Sequence, residues 1–218
     1  MSTDATPQLR ADARRNRDRI INAARVVFAE RGPEVPMEEI ARAAGVGTGT
    51  LYRRFPDRDS LIRAVGQHVF GRVLDEARAI AARESDPWRA LTEFLLTATD
   101  MHTVLRLSMH SPRAREVLGA DPELTQVRGE LLSILDSMVR AAQESGALRA
   151  DVSSGDIAMI LSIVLQGVRD VPDDVRREAP ARYLTLVLDG LQARPGTPLP
   201  GRPVTAEDIS MARVYTAD

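Results

Sequence analysis

A glycine between two short helical patterns constrains this chain more than any other feature of its sequence. Residues 36–44 and 48–55 each carry apolar side chains at helical spacing, with Leu51 and Phe55 one turn apart in the second pattern. Gly45 separates the two patterns, and glycine just past a helix is the usual residue for the left-handed conformation that turns the chain sharply. A short glycine-containing turn between two helices is typical of the helix-turn-helix motif, which the sequence therefore predicts here.

The second helix of this motif has a polar outer face. At about 100° per residue, Leu51 and Phe55 point inward, whereas Gly49 and Arg53 lie on the opposite side. The positions that flank them are Thr48, Thr50, Tyr52 and Arg54. Hydroxyl and guanidinium groups can reach phosphates and base edges, and a glycine lets the backbone come close. This face therefore predicts binding to nucleic acid.

The residues around this motif match a known family pattern over roughly residues 17–65. The matching positions are Ile40, Ala41, Ala44, Gly45, Val46, Gly49, Thr50, Leu51, Tyr52, Phe55 and Leu61. Together they resemble the DNA-binding region of the tetracycline-repressor (TetR) family of bacterial transcription regulators. The remainder of the chain agrees with that family only in length and helical character.

The resemblance implies which residues contact DNA. It implies base or phosphate contacts from Thr48, Gly49, Thr50, Tyr52 and Arg53, and a phosphate contact from Arg58, where the family commonly has lysine. Arg54 stands where the family often has His or Tyr, and Gly47 where it usually has a serine cap. Glycine at a helix cap costs only a few tenths of a kcal/mol. The predicted DNA-contacting residues are therefore Gly47, Thr48, Gly49, Thr50, Tyr52, Arg53, Arg54 and Arg58.

Composition and pattern predict an all-α chain. Its 218 residues are 44% hydrophobic, poor in aromatic side chains, and show no sustained strand alternation. We expect a disordered N-terminus at 1–9 and a three-helix DNA-binding head at 10–57. A larger helical bundle for ligand binding and dimerisation is expected at 58–194, followed by a Pro/Gly-rich linker and loosely held tail at 195–218.

Helix starts and ends can be placed along the chain. The arginine-rich residues 10–19 are equally compatible with a disordered arm that reaches DNA and with a solvated helix start. Asp57, Asp86 and Asp121 are predicted to cap helices, the first of them a long connecting helix at 58–83. Further helices are predicted at 103–110, 155–171 and 179–193.

The charge distribution separates the head from the body. Residues 1–66 hold 12 arginines against nine acidic residues, a net charge of +3, whereas residues 67–218 hold 17 arginines against 22, a net charge of −5. A basic module on an acidic body is expected when only one end meets nucleic acid. All 29 basic residues are arginine.

Several classes of site are excluded or disfavoured. With no cysteine, the chain has no disulfide and no thiolate metal site. The histidines His68, His102 and His110 lack paired metal spacing, and no catalytic signature is present, so neither an enzyme nor a bound cofactor is predicted. The longest apolar run, residues 157–165, is far short of the roughly 18 residues that a membrane span needs, which favours a cytoplasmic protein.

Two further sets of residues are candidates for binding in the body. A ligand pocket between bundle helices could be lined by Trp88, Phe94, Met101, His102, Met109, Met159 and Gln166, although core packing is the simpler explanation for each. The last two helices hold more apolar residues than one buried face needs, and the family resemblance places a four-helix dimer contact there. The predicted interface residues are Leu161, Leu165, Val168, Leu184 and Leu188.

The leading hypothesis is a homodimeric transcriptional repressor of the kind that the resemblance implies. Its head would bind a half-site of a palindromic operator, and a largely apolar small molecule in the body would release the DNA. A helical module that binds another protein through the helix-turn-helix is the alternative, and a helical-bundle enzyme is a third possibility.

Overall fold

The described part of the chain is helical. A computed structural model describes residues 7–101, 104–105, 107–108, 111–165, 173–194 and 196–212. In chain order its helices are α1 (Pro7–Arg31), α2 (Met37–Ala43), α3 (Thr48–Arg54), α4 (Arg58–Arg83), α5 (Pro87–Thr97), α6 (Pro112–Gly119), α7 (Pro122–Glu144), α8 (Ser154–Leu165), α9 (Asp173–Leu191) and α10 (Ala206–Ala212). These residues form no β-strand, only an isolated antiparallel bridge between Leu148 and Gln192. The all-α prediction is confirmed.

The helices form two compact units. The first comprises described residues of 1–69 and 106–124, and the second those of 70–105 and 125–218. The sequence had suggested a division near residue 57, but the first three turns of α4 and all of α6 pack with the head. Periodicity could not reveal this, because it shows that a helix has an apolar face without showing which neighbour covers that face.

The core of the first unit is built by the predicted helical stripes. The buried side chains of α1 are Ile20, Ile21, Ala24 and Phe28, and those of the following helices include Met37, Ile40, Ala41, Leu51, Leu61, Ile62 and Val65. α1 packs against α2, and α2 against α3. The three-helix head expected from these stripes is therefore present.

A buried carboxylate fixes α4 to the start of α7 within this unit. Asp121 is only 4% exposed, and its Oδ1 accepts the Leu124 amide at 3.0 Å. Its Oδ2 accepts from the Gln67 side chain at 3.2 Å and lies 3.4 Å from the Arg63 guanidinium. Because a buried charge is costly unless it is paired, these contacts explain how Asp121 is tolerated there. The predicted helix cap thus also joins two helices.

The other predicted caps are present as well. Asp57 accepts a hydrogen bond from the Ser60 amide at 2.7 Å, and its hydrogen bonds with Ser60 lower the pKa of Asp57. Asp86 accepts the Arg89 amide at 3.0 Å, and α5 ends in a short 3-10 turn, Ala98–Met101. α4 runs from Arg58 to Arg83, the span that the apolar periodicity predicts.

Two predicted boundaries were wrong. α1 begins at Pro7, so residues 7–9 are helical, and of the two alternatives for residues 10–19 the helix start is the one present. α9 begins at Asp173 and continues through Pro180, which forgoes one backbone hydrogen bond but does not end the helix. Residues 104–105 and 107–108 are helical as predicted, while residues 1–6, 166–172 and 213–218 lie outside the described residues.

The C-terminal segment is held in place rather than loose. We call residues 196–212 the C-terminal strap. The Leu199 amide donates to Asp151 Oδ2 at 3.1 Å, and the Val204 amide donates to Asp156 Oδ1 at 3.0 Å. The strap then forms α10, which packs on α8. Backbone hydrogen bonds of this kind leave no apolar periodicity, which is why the sequence suggested a loosely held tail.

A glycine allows the strap to lie directly on α8. A β-carbon built on Gly155 would overlap the carbonyl oxygen of Val204 and lie 2.5 Å from that of Thr205. These are backbone atoms, so no side-chain rotation could relieve the overlap. The strap can dock in this position only because residue 155 has no side chain.

Gly155→Ala should displace the strap and lower the free energy of unfolding by about 1–3 kcal/mol, the usual cost of overpacking. Hydrogen exchange should show faster exchange of the Leu199 and Val204 amides. Gly190→Ala is the matched control, because a β-carbon there meets nothing within 4 Å. Equal protection of the two amides in both variants would contradict the proposed contact.

Candidate DNA-binding site

The turn before α3 is fixed by backbone conformation and by one arginine. Gly45 has a φ of 62°, the left-handed conformation that its position predicted. The Val46 amide donates to the Ala41 carbonyl at 3.0 Å and closes the end of α2. From α1, the Arg19 guanidinium donates to the Gly45 carbonyl at 2.9 Å. The entry into α3 is therefore held from both neighbouring helices.

The inward face of α3 anchors it to the head. Leu51 is fully buried and Phe55, which follows the last turn, is nearly so. This leaves Gly47, Thr48, Gly49, Tyr52, Arg53 and Arg54 exposed and Thr50 half-buried. The helical wheel therefore predicted the exposed face of α3 correctly except at Thr50, which is only partly accessible.

The two exposed glycines have no structural reason to be glycine. A β-carbon at Gly47 or at Gly49 would meet no atom within 4 Å, and neither residue has a positive φ. Packing and backbone conformation would accept a side chain at both positions. The absence of side chains leaves the backbone of α3 accessible to a molecule outside the protein.

The two arginines at the end of α3 differ. Arg53 forms no hydrogen bond or ion pair with any residue in the described part of the chain, whereas Arg54 does interact with the protein. Arg53 also lies on the face opposite the buried Leu51. Its guanidinium donors are therefore available for an external acceptor.

Arg58 forms hydrogen bonds within the protein. It is half-buried, and its Nη1 donates to the carbonyl oxygens of Pro33 and, at 2.6 Å, Val35. These bonds attach the loop between α1 and α2 to the first turn of α4. The structure thus gives Arg58 a structural role that sequence reasoning missed, and the phosphate contact that the resemblance implies stays a prediction.

Tyr52 also has a partner that sequence reasoning missed. Its hydroxyl donates to Oε1 of Glu38 in the first turn of α2, at 3.1 Å. This hydrogen bond and the nearby negative charge raise the pKa of Tyr52. The two residues are 14 positions apart, so only the packing of α2 against α3 brings them together. A helical wheel of one helix could not have identified the pair.

The candidate ligand residues are not gathered in one place. Phe94 is part of the core, Met101 is half-buried, and Met159 is 49% exposed. Trp88 is half-buried and lines a surface cleft with Pro87, Ser145, Gly146, Gln192 and Arg194. His102, Met109 and Gln166 lie outside the described residues.

The candidate dimer residues that the structure describes lie on the inward faces of α8 and α9. Leu161, Leu165, Leu184 and Leu188 are buried within the protomer, so they are not available at its surface. Val168 lies outside the described residues. The large apolar side chains that the same helices expose are Met159, Ile163, Val175, Tyr183 and Leu186. Each helix has two apolar faces, and helical periodicity alone does not distinguish the buried face from the exposed one.

Other kinds of site receive no support from the described ranges. Within them, no three His, Asp or Glu side chains are grouped so that they could hold a metal ion. No helix in this part of the chain is long and apolar enough to cross a membrane.

Known protein families match both the N-terminal and the C-terminal part of the chain. The family described as bacterial regulatory proteins of the tetR family matches residues 20–65, and the SbtR-like C-terminal domain of transcriptional regulators matches residues 86–193. The first match covers the helix-turn-helix and the start of α4, and the second covers α5 to α9.

Solved structures and a curated relative agree with this assignment. A TetR regulator from Streptomyces coelicolor is 34% identical over 81% of this chain and 98% of its own, with a TM-score of 0.61. One from Mycobacterium vanbaalenii is also 34% identical, over 84% and 99%, with a TM-score of 0.55.

The transcriptional repressor LfrR of Mycolicibacterium smegmatis is 33% identical over 125 residues, which is 55% of this chain and 61% of LfrR. The chain thus spans less than two thirds of that relative's length. The helix-turn-helix geometry, the two family matches and the similarity to the Streptomyces structure lead to one conclusion: this chain belongs to the TetR family of DNA-binding transcriptional regulators and is not an enzyme.

Proposed function

We propose that this regulator represses transcription by binding, as a homodimer, a palindromic operator from which a small molecule releases it. The observation that carries the DNA-binding part is the outer face of α3. There, two glycines leave the backbone accessible and Arg53 has donors not used by the described part of the protein. Repression is supported by the likeness to LfrR, which is named as a repressor.

Each exposed group on α3 suits a different kind of contact. Arg53 can donate two hydrogen bonds to O6 and N7 of guanine in the major groove, so we assign it to base reading. Thr48, Thr50 and Arg54 can donate to phosphates, which position the helix without reading sequence. Gly47 and Gly49 would let the backbone approach the DNA closely.

Selection of random duplexes on the purified protein tests this proposal. A two-fold dimer presents the same helix twice, so the selected sites should be imperfect palindromes with half-sites about one helical turn, or a multiple of it, apart. Recovery of no preferred sequence, together with binding that does not weaken as salt is raised, would exclude operator recognition.

Arg53→Ala and Arg58→Ala form a matched pair of variants for the selected operator. Arg53→Ala should lower affinity by about 1–3 kcal/mol and relax preference at one base position, with unfolding unchanged. Arg58→Ala should lower the free energy of unfolding by about 1–3 kcal/mol, because the Pro33 and Val35 carbonyls lose a charged donor. Urea denaturation and titrations of ranked duplexes measure both effects.

Two results would reverse these assignments. If Arg53→Ala weakens every duplex equally, Arg53 contacts phosphate rather than a base. If Arg58→Ala unfolds like the parent protein but shows weaker binding and a flatter salt dependence, then Arg58 contacts phosphate as the resemblance implies.

The dimer is proposed to form through the exposed apolar side chains of α8 and α9. Ile163 and Leu186 are each 62% exposed, and Met159 and Tyr183 lie on the same two helices. α8 and α9 pack against each other, so their outer faces can form one surface. Burial of large apolar side chains is the main favourable term in such an association.

Ile163→Glu and Leu186→Glu should convert the dimer into a folded monomer, because each places a charge on the proposed interface without disturbing the core. Leu96→Glu is the control, since Leu96 is an apolar residue on α5 that is also exposed, at 40%. Sedimentation equilibrium measures the dimer constant, and circular dichroism confirms that helicity is retained. Dimers of parental stability in both α8 and α9 variants would place the interface elsewhere.

The ligand is proposed to bind in the second unit, at the cleft beside Trp88. This residue is the single tryptophan of the chain, so its fluorescence reports directly on that cleft. The aromatic ring favours apolar or aromatic ligands, with Arg194 and Ser145 as polar groups at the same cleft.

A compound that quenches Trp88 fluorescence should bind more weakly when operator is saturating, and it should weaken operator binding by the same factor. Such coupling is typically about 5-fold to 150-fold and is reciprocal by thermodynamic necessity. Calorimetry with and without operator measures it. An affinity that operator leaves unchanged would mean that the cleft does not control DNA binding.

A further inference from the structure

The hydrogen bond between Glu38 and Tyr52 limits how Tyr52 can meet DNA. A phenol has a single proton to donate, and here that proton goes to the Glu38 carboxylate at 3.1 Å. Both residues are exposed, with 41% of Tyr52 accessible, so the bond lies on the outer surface of the helix-turn-helix.

While this bond exists, the Tyr52 hydroxyl cannot also donate to a phosphate. A phosphate placed at the hydroxyl would in addition approach the negative charge of Glu38. Two like charges this close repel each other, and the repulsion is stronger at the lower effective dielectric of a protein surface than in water. The geometry therefore disfavours a phosphate contact from the Tyr52 hydroxyl.

The ring of Tyr52 remains free to make contact. Gly49 lies three residues earlier on the same side of α3 and has no side chain, and a β-carbon there would meet nothing within 4 Å. One side of the ring is therefore not covered by the neighbouring turn. An apolar side chain on a recognition helix can pack against the C5 methyl group of thymine in the major groove.

From this geometry we infer that Glu38 is a positioning residue that holds Tyr52 so that its ring, and not its hydroxyl, contacts a thymine of the operator. The inference rests on the proposed DNA-binding function and deepens it. Glu38 itself acts through Tyr52. Its negative charge disfavours a contact of its own with the phosphates.

The experiment compares operator duplexes in which single thymines are replaced by uracil, which removes only the methyl group. For each protein the measured quantity is the ratio of affinities for the thymine and uracil duplexes. This ratio cancels any uniform change in DNA affinity, including the gain expected when the negative charge of Glu38 is removed, and it does not depend on the active fraction of a preparation.

With the parent protein, one thymine in each half-site should show a roughly fourfold ratio, the size expected for one buried methyl group. Tyr52→Ala should bring that ratio to one. Tyr52→Phe and Glu38→Ala each remove the same hydrogen bond, so both should lower the ratio to a similar intermediate value, and the double variant should lower it no further. Glu38→Gln keeps an acceptor for the hydroxyl and should retain the parental ratio.

Glu34→Ala is the matched control. Glu34 is an exposed carboxylate in the loop before α2, with no hydrogen bond or ion pair to the described residues. Its removal should raise affinity for every duplex while leaving the thymine-to-uracil ratio at the parental value. A ratio that changes in this variant as it does in Glu38→Ala would show that charge, and not the bond to Tyr52, sets the ratio.

The two proposals fail in different ways. If the parent protein binds no selected duplex, the proposed function is wrong. If it binds but no thymine shows a ratio that depends on Tyr52, or if Tyr52→Phe loses as much affinity as Tyr52→Ala, the ring contact is wrong. Independent losses from Glu38→Ala and Tyr52→Phe that add in the double variant would refute the positioning role of Glu38.

Discussion

The left-handed backbone at Gly45 sets the direction in which α3 leaves α2, and the DNA-binding surface depends on that direction. This conformation is strained for residues with a β-carbon, least so for Asn and Asp, so the position favours glycine for a backbone reason. Once the turn is made, burial of Leu51 and Phe55 fixes the rotation of α3 about its axis. The polar face then points outward because the apolar face is occupied. The bond from Arg19 to the Gly45 carbonyl ties this geometry to α1.

The arginines of the head serve two different purposes that a count of charges does not separate. Arg19 and Arg58 donate to backbone carbonyls, and Arg31 pairs with Glu39 across α1 and α2 at 2.5 Å. These guanidinium groups hold the head together. Arg53, by contrast, has no such contact with the described residues. The net charge of +3 on residues 1–66 therefore overstates how much positive charge is free to meet DNA.

Interactions that are local in sequence could be predicted, and those that depend on packing could not. The bounds of α4, the caps at Asp57 and Asp86 and the turn at Gly45 follow from periodicity and from single-residue preferences that act over a few positions. The outer face of α3 could be predicted for the same reason. The part of the site that a single helix forms can thus be predicted from the sequence.

The remaining features join distant segments through polar or backbone atoms. The partner of Tyr52 lies on another helix, and the strap is held by carboxylates about 50 residues away in sequence. Neither contact produces a periodic pattern. The exposed faces of α8 and α9 are a separate difficulty, because a helix with two apolar faces gives the same composition whichever face is buried. Which of the two faces is buried depends on how the whole unit packs.

The contact between Gly155 and the strap links two parts of the chain that evolution could otherwise change separately. A related protein that lacks such a strap is free to place any helix-forming residue at the equivalent of position 155. One that keeps the strap must keep glycine there, because the atoms in contact are main-chain atoms that no substitution in the strap can shorten. Among relatives, a segment docked in this way should therefore occur only together with that glycine. A side chain at the equivalent position would then indicate, from sequence alone, which members of the family do not carry such a segment.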